Sequence, residues 1–268
     1  RGIQLRSLFY ALRLVFSKEL KGEGDISHFG SLMAALASTV GIGNIAGVST
    51  AVALGGPGAI FWMWVTGLVG MATKYSEGFL AVKFRRINDK GEISGGPMYY
   101  LEEGLKKKWL GICFAAFGAC AAFGIGNMVQ ANTTAIAVSE TTGFNSFSVG
   151  LFLAILTGLV VIGGIKRIAD VASYLVPLMV ALYFAGALIV ILNHIDQLGS
   201  GIKLVFEHAF TGTAATGGFA GATLANCIRY GVARGLFSNE SGMGSAPIVA
   251  AAARTNHPGK QALVSMTG

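Results

Sequence analysis

Ser38-Thr39-Val40-Gly41-Ile42-Gly43-Asn44-Ile45-Ala46-Gly47 lies inside a run of 45 residues, Phe29 to Thr73, that contains no Asp, Glu, Lys or Arg. Such a run is long enough for two membrane crossings of about 20 residues each. In hydrocarbon every unpaired backbone N–H or C=O costs several kcal/mol, so a glycine-broken, polar core inside an apolar span survives only where it lines a cavity or a binding site. Discontinuous membrane helices of this kind hold substrates and ions in secondary transporters. Gly41 to Ala46 also matches the dinucleotide fingerprint G-x-G-x-x-G/A. That fingerprint needs a preceding strand and an acid about 20 residues on. Here Leu32 to Ala37 favours helix and the next acid is Glu77, so the nucleotide reading falls.

Composition points the same way. Hydrophobic residues make up 53% of the chain and charged residues 12%, and mean hydropathy is +0.62. A soluble domain carries about 25% charged residues, so the chain reads as an integral membrane protein. Glycine is 39 of 268 residues, about twice the ordinary share of roughly 7%, as expected where membrane helices approach closely. Cys113, Cys120 and Cys227 are odd in number and show no C-x-x-C; they read as small buried hydrophobes, neither disulfide framework nor metal site. The net charge of +7 sits in short loops between apolar spans, which topology explains better than nucleic-acid binding. Arg1 is not a start Met and an apolar run begins at Leu263, so both ends read as cut from a longer chain.

In order, residues 1–27 form a basic amphipathic segment: Arg1, Arg6, Arg13, Lys18 and Lys21 accompany Leu5, Leu8, Phe9, Leu12, Val15 and Phe16 at helical spacing. A transmembrane domain fills 28–268, with spans expected at about 28–54, 58–82, 109–139, 146–165, 171–192 and 214–255. Trp62 and Trp64 are expected interface anchors of the second, Pro177 marks a bend in the fifth, and residues 198–210 read as a short amphipathic outer helix. The loops 1–27, 83–108 and 166–167 are basic, whereas the turns 55–58, 140–146 and 193–200 contain no Lys or Arg. By the positive-inside rule the first set is cytoplasmic, and the first span runs from inside to outside. The sixth span holds a second break near 238–242, within Gly235-Leu236-Phe237-Ser238-Asn239-Glu240-Ser241-Gly242-Met243-Gly244. Breaks in spans one and six, with four continuous spans between, match an inverted repeat of five plus five helices.

These breaks carry the candidate sites. At the first, Gly41, Gly43 and Gly47 permit close approach and unusual dihedrals; carbonyl ends suit a cation and N–H ends an anion. Asn44 offers an oxygen to an ion or a donor to a carboxylate, while Gly43 and Gly47 also suit plain helix packing. At the second, Ser238, Asn239 and Glu240 cluster, with Glu240 a charge or gating residue able to meet a substrate ammonium, a cation, a proton or Arg234. The bland alternative is a Glu in a membrane-edge loop. Asn127 and Gln130 in the third span sit one turn apart, for a substrate contact or an inter-helix hydrogen bond. His28, His194, His208 and His257 lack metal spacing, so no transition metal is expected.

Thr39-Val40-Gly41-Ile42-Gly43-Asn44-Ile45-Ala46-Gly47-Val48, Ala53-Leu54-Gly55-Gly56-Pro57-Gly58-Ala59-Ile60-Phe61-Trp62-Met63-Trp64, Ser94-Gly95-Gly96-Pro97-Met98-Tyr99-Tyr100 and Arg234-Gly235-Leu236-Phe237-Ser238-Asn239-Glu240 resemble the alanine or glycine:cation symporter family across nearly the whole chain. Ser241 stands where that family more often has Ala. The resemblance implies an all-α, leucine-transporter-type inverted-repeat bundle, present here as the first repeat and the start of the second. It also implies no enzyme activity, no organic cofactor, and sodium-coupled uptake of alanine, glycine or similar amino acids in a bacterial or archaeal cell membrane, by a protein taken as monomeric among its lipids. On that reading the substrate carboxylate faces Gly41, Gly43 and Asn44; Asn127, Gln130, Ser238 and Asn239 line the pocket, and Phe237 closes it. Sodium sits near Thr39, Gly41 and Asn44. A cation channel or an amino-acid sensor is the alternative.

Overall fold

The chain folds as helices wherever apolar periodicity runs unbroken, and glycine decides where it stops. The computed structural model describes residues 2–17, 22–89, 91–211 and 224–268. Arg1, Lys18, Lys21, Lys90 and the expected start of the sixth span (214–223) lie outside the described residues. Two short helices, α1 (Ile3–Arg6) and α2 (Leu8–Val15), open the chain. The apolar stripe expected as one face of this segment is divided. Ala11, Leu14 and Val15 are buried, while Leu5, Phe9, Leu12 and Phe16 stay exposed.

Next comes α3 (His28–Thr39), capped by Ser27, whose hydroxyl accepts from the Gly30 amide at 3.0 Å. The chain breaks at Val40-Gly41 and resumes as α4 (Ile42–Gly55), bent 41° from α3. The break is narrower than the sequence suggested: Gly43 and Gly47 are ordinary helical residues of α4. Helix α5 (Ala59–Lys83) is followed by the two-residue hairpin of β1 (Arg86–Ile87) with β2 (Ile93–Ser94), and by α6 (Pro97–Leu105), which has Pro97 at its first position. Helix α7 (Lys108–Ala121) passes through a π-helical turn, Ala122–Met128, into α8 (Val129–Thr142), which Gly143 ends in the left-handed region.

Then come α9 (Ser146–Val161) and α10 (Gly164–Asn193). Lys166 and Arg167, expected in a loop, lie instead in the first turn of α10, because Gly164 at φ 68° supplies the corner earlier. Pro177 lies inside that continuous helix. Helix α11 (Ile195–Thr211) covers the residues expected to form an amphipathic outer helix. After it, α12 (Leu224–Asn239), α13 (Ala246–Ala251) and α14 (Pro258–Ser265) complete the described chain. The second break, residues 240–245, falls later and is longer than expected.

Among the described residues, two helices can cross a membrane by length and composition, Lys108–Thr142 and Gly164–Asn193, and α3 with α4 adds a third if the bent pair counts as one. Their apolar side chains are largely exposed, as with Phe117, Phe123 and Phe184, the condition of lipid-facing or yet-unpacked membrane helices. The buried core gathers Leu14, Val15, Leu32, Met33, Ala172, Val176 and Val264 from α2, α3, α10 and α14, with Ile26 from the segment before α3. A buried polar network crosses it: His28 Nδ1 lies 2.7 Å from Gln261 Oε1, and Gln261 Nε2 donates to Ser31 Oγ at 2.9 Å. His28 is thus a packed core histidine.

The two ends of the bundle are tied differently. At one end Ile26 bridges Ala253 in parallel, and the amides of Asp25 and Arg254 donate to Ala252 and Ile26 at 2.8 and 2.7 Å. Arg85, just past α5, donates to the carbonyls of Glu23, Ala251, Ala253 and Thr255 at 2.7–3.1 Å. Burial lowers the pKa of that guanidinium. Asp25 accepts from the Ile93 amide at 2.8 Å and pairs with Lys166 at 3.3 Å. So residues 22–26, 85, 93 and 166, all from the basic stretches or their borders, meet there. At the other end α11 packs on the start of α5: Trp62 Nε1 donates to Ala209 O at 3.0 Å, and Phe61 meets Phe206 and Phe210. Trp62 is therefore held by protein, while Trp64 is half exposed. Of the cysteines, only Cys227 is buried; Cys120 is exposed, against the expectation.

Candidate functional site

The two breaks face each other. Asn44 occupies the first turn of α4 and joins them. Its Oδ1 accepts from the Gly41 amide at 3.1 Å, capping its own helix, and its Nδ2 donates to Ser238 Oγ at 2.9 Å in the last turn of α12. Gln130 reaches in from α8, its Oε1 taking the Ile42 amide at 3.4 Å. The Phe237 ring lies against Gly43; a Cβ there would sit 3.1 Å from the ring, so glycine is what allows this approach. Thr39 is buried, its hydroxyl turned back to Ala35 O at 2.9 Å. A cavity of about 230 Å³ opens beside this cluster, lined by Val48, Ile60, Met63, Trp64, Gly235, Ser238 and Asn239.

Glu240 lies on the other flank. It begins the second break in the left-handed region, φ 52°, a conformation that costs a non-glycine residue energy and marks a specialised backbone. Its carboxylate accepts from Ser38 Oγ at 3.1 Å and from Ser245 Oγ at 2.7 Å, so it too spans from the first break to the second. Among the described residues no ion pair joins it to Arg234, which lies back on α12 while Glu240 has already left that helix.

Of the residues singled out from sequence, Gly41, Gly43, Asn44, Gln130, Phe237, Ser238 and Glu240 come together. Asn239 lines the adjoining cavity, and Thr39 borders the break. Asn127 does not join them. It is exposed and lies within the π-helical turn Ala122–Met128, whereas Gln130 lies in α8 beyond it. Gly47 meets nothing that a Cβ would touch.

Sequence reading missed two ionisable residues. Lys74 and Glu77 lie three apart on α5, 3% and 8% exposed. The amides of Gly242 and Gly244 approach the Glu77 carboxylate, and Lys74 interacts electrostatically with Glu240 and Glu77. Glu77 Oε2 and Ser241 Oγ are buried without a hydrogen-bond partner. The signal was present: a lysine and a glutamate one turn apart inside an apolar helix. Tyr100 of α6 faces the same carboxylate; its phenol is pushed up to about 12, by burial first and by the charge of Glu77 second.

Chemically, this arrangement gathers hydrogen-bond donors at the start of α4, amide and hydroxyl oxygens around it, and a carboxylate alongside. It can hold a small zwitterion and a monovalent cation. Among the described residues no group of His, Cys, Asp and Glu could hold a transition metal.

Comparison with known proteins bears on that reading. The family model described as the sodium:alanine symporter family matches residues 1–268. The chain is 54% identical to the sodium/alanine symporter AgcS of Methanococcus maripaludis, over 99% of this chain and 59% of that protein. It is 43% identical to the probable sodium/glutamine symporter GlnT of Bacillus subtilis, over 92% of this chain and 51% of that protein. It is 40% identical to the amino-acid carrier protein AlsT of Bacillus subtilis, over 99% and 56%. The chain therefore spans between about half and three-fifths of the length of these relatives.

Proposed function

The chain belongs to the sodium:alanine symporter family, and from that premise we propose that it carries the substrate site of a sodium-coupled importer of small neutral amino acids. In this reading the complete protein is a leucine-transporter-type inverted-repeat bundle in the cell membrane, working by alternating access. Family membership excludes an enzyme. The observation that carries the proposal is the junction of the two breaks through Asn44 and Ser238.

The substrate carboxylate takes the amides at the start of α4, where the helix dipole favours an anion. It displaces the long 3.4 Å contact from Gln130 to Ile42, leaving the Gln130 amide group free to bind the ligand. The substrate ammonium turns toward Ser238 and Glu240. Sodium takes oxygens from the end of α3, the Thr39 hydroxyl and Asn44 Oδ1, which keeps a second lone pair. A cavity of about 230 Å³ with Met63 and Trp64 in its wall is below the usual range for ligand pockets, roughly 300–1,000 Å³, and suits a short side chain. Asn44 serves both ligands, so each strengthens the other's site, and coupling follows if both bind one state better than its alternative. The basic stretches gathered at one end of the bundle support an orientation with that end in the cytoplasm.

The test is uptake of labelled alanine by the full-length protein in proteoliposomes, with and without an inward sodium gradient, beside Asn44→Ala and Gln130→Ala. Gradient-driven uptake that both substitutions abolish in folded protein supports the proposal. Uptake indifferent to sodium, or untouched by both substitutions, overturns it.

A further inference from the structure

Helix α2 is apolar on two sides, and the bundle uses only one of them. Ala11, Leu14 and Val15 are buried, where α2 packs on α14 and α3. On the other side Phe9 and Phe16 are 85% and 74% exposed, and Leu12 and, on α1, Leu5 are exposed with them. At about 100° per residue, Phe9, Leu12 and Phe16 fall within about 60° of one another, and Arg13 lies about 40° beyond Phe9. Tyr10, also exposed, lies further round on the same side, before the buried sector begins. The helix therefore has three sectors: one against protein, one apolar and bare, and one polar between them.

Position and charge say what the bare sector meets. The Phe16 ring lies 5.8 Å from the Phe29 ring, in the first turn of α3. So α2 sits beside the end of the bent pair of α3 and α4, which is long and apolar enough to cross a membrane as one span. Arg6 and Arg13 are exposed, and among the described residues neither stands in an ion pair. The two helices packed on α2 carry Lys260 and no acid. A seam against protein would bury Arg13 beside Phe9 with no carboxylate from either helix to meet it, which is costly. Water would leave a contiguous apolar stripe bare, the mark of a surface that binds something. The boundary of a bilayer suits both groups: the apolar side chains enter the acyl layer, and the arginine stems follow them while their heads stay among the lipid phosphates.

We propose that α1 and α2 lie in the plane of the membrane boundary at the basic end of the bundle, with Leu5, Phe9, Leu12 and Phe16 among the acyl chains and Arg6 and Arg13 on the phosphates of anionic phospholipids. The planar guanidinium fork matches two phosphate oxygens, and a net negative headgroup attracts each arginine more than a zwitterionic one does. Through Phe16 on Phe29 the contact anchors the start of α3 at that boundary. The proposal rests on the chain lying in a membrane and not on what it transports.

The test needs neither sodium nor alanine, so its failure is separable from failure of the transport reading. A nitroxide is attached in turn at Phe9→Cys, Tyr10→Cys and Leu12→Cys in the full-length protein, its native cysteines replaced by Ser, in vesicles of mixed phosphatidylcholine and phosphatidylglycerol. Collisions with oxygen, which concentrates in hydrocarbon, are compared with collisions with a water-soluble nickel chelate. Oxygen should dominate at positions 9 and 12 and the chelate at position 10. If the chelate dominates at 9 and 12, the stripe faces water; if neither reagent reaches them, protein covers it. Either result overturns the proposal. A second arm tests the headgroup. With native arginines, the ratio of immersed to water-exposed label at position 9 should be higher in the mixed vesicles than in pure phosphatidylcholine, by up to about fivefold per arginine. Arg6→Gln with Arg13→Gln should remove that difference. No difference between the two lipids with native arginines, or one that survives both substitutions, overturns the proposal as well.

Discussion

Asn44→Ala is the perturbation that the geometry prices most directly. It deletes two hydrogen bonds, to the Gly41 amide at 3.1 Å and to Ser238 Oγ at 2.9 Å. Each is worth about 1 kcal/mol net, so the expected loss is about 2 kcal/mol. Ser238→Ala removes only the second and should cost about 1 kcal/mol. If the breaks are joined by this bond, the double variant loses about 2 rather than about 3 kcal/mol, a coupling of about 1 kcal/mol, above the few tenths expected of independent sites. The assay is reversible unfolding of the full-length protein in mixed detergent and SDS micelles, run as a double-mutant cycle. The same cycle on alanine affinity should show Asn44→Ala weakening binding about 30-fold if those 2 kcal/mol pass to the ligand. Additive losses, with no coupling, would refute the claim that the two breaks form one site.

Other outcomes follow from single contacts. Gly70→Ala drives a methyl against Ser241 Oγ, which lies 2.5 Å from where it would sit; it should destabilise the protein by about 1–3 kcal/mol, and Ser241→Ala should restore most of the loss in the same unfolding assay. Ser241→Ala alone should be neutral or stabilising, because it removes a buried hydroxyl that has no partner. Arg85→Ala leaves four carbonyls without their donor and should cost about 3 kcal/mol or more, with proteolysis near residues 22–26 accelerated; Arg85→Lys, lacking the fork, should recover only part. The Arg86 guanidinium hydrogen-bonds to Glu103 and holds its carboxyl below the usual range. That stabilisation is present at neutral pH and disappears as pH falls through the depressed value, so Arg86→Gln should erase this part of the acid dependence of unfolding.

The first break was legible because glycine and asparagine have no business in a charge-free apolar run unless they line something. Its exact extent was not: Gly43 and Gly47 look like breakers in sequence, yet both are helical, and the glycine at 43 makes room for the Phe237 ring. The resemblance in four motifs led to the right family because those motifs are long. The setting of Asn127 was not legible because a one-turn spacing assumes an α-helix, and nothing in Gly124-Ile125-Gly126 announces an i→i+5 turn. Lys74 and Glu77 were passed over because attention stayed on the charge-free run that ends at Thr73, and Glu77 entered only as the acid too distant for a nucleotide fingerprint. The ties of Arg85 could not be read at all. They join residues up to 170 positions apart through backbone carbonyls, which every residue owns and no sequence pattern marks.

Binding of labelled alanine to the purified full-length protein, titrated with and without sodium for the native chain, Asn44→Ala and Asn127→Ala, tests the central claim most directly. The account predicts binding that requires sodium, collapses in Asn44→Ala and is unchanged in Asn127→Ala. Binding that ignores sodium, or that survives Asn44→Ala while Asn127→Ala abolishes it, would contradict it.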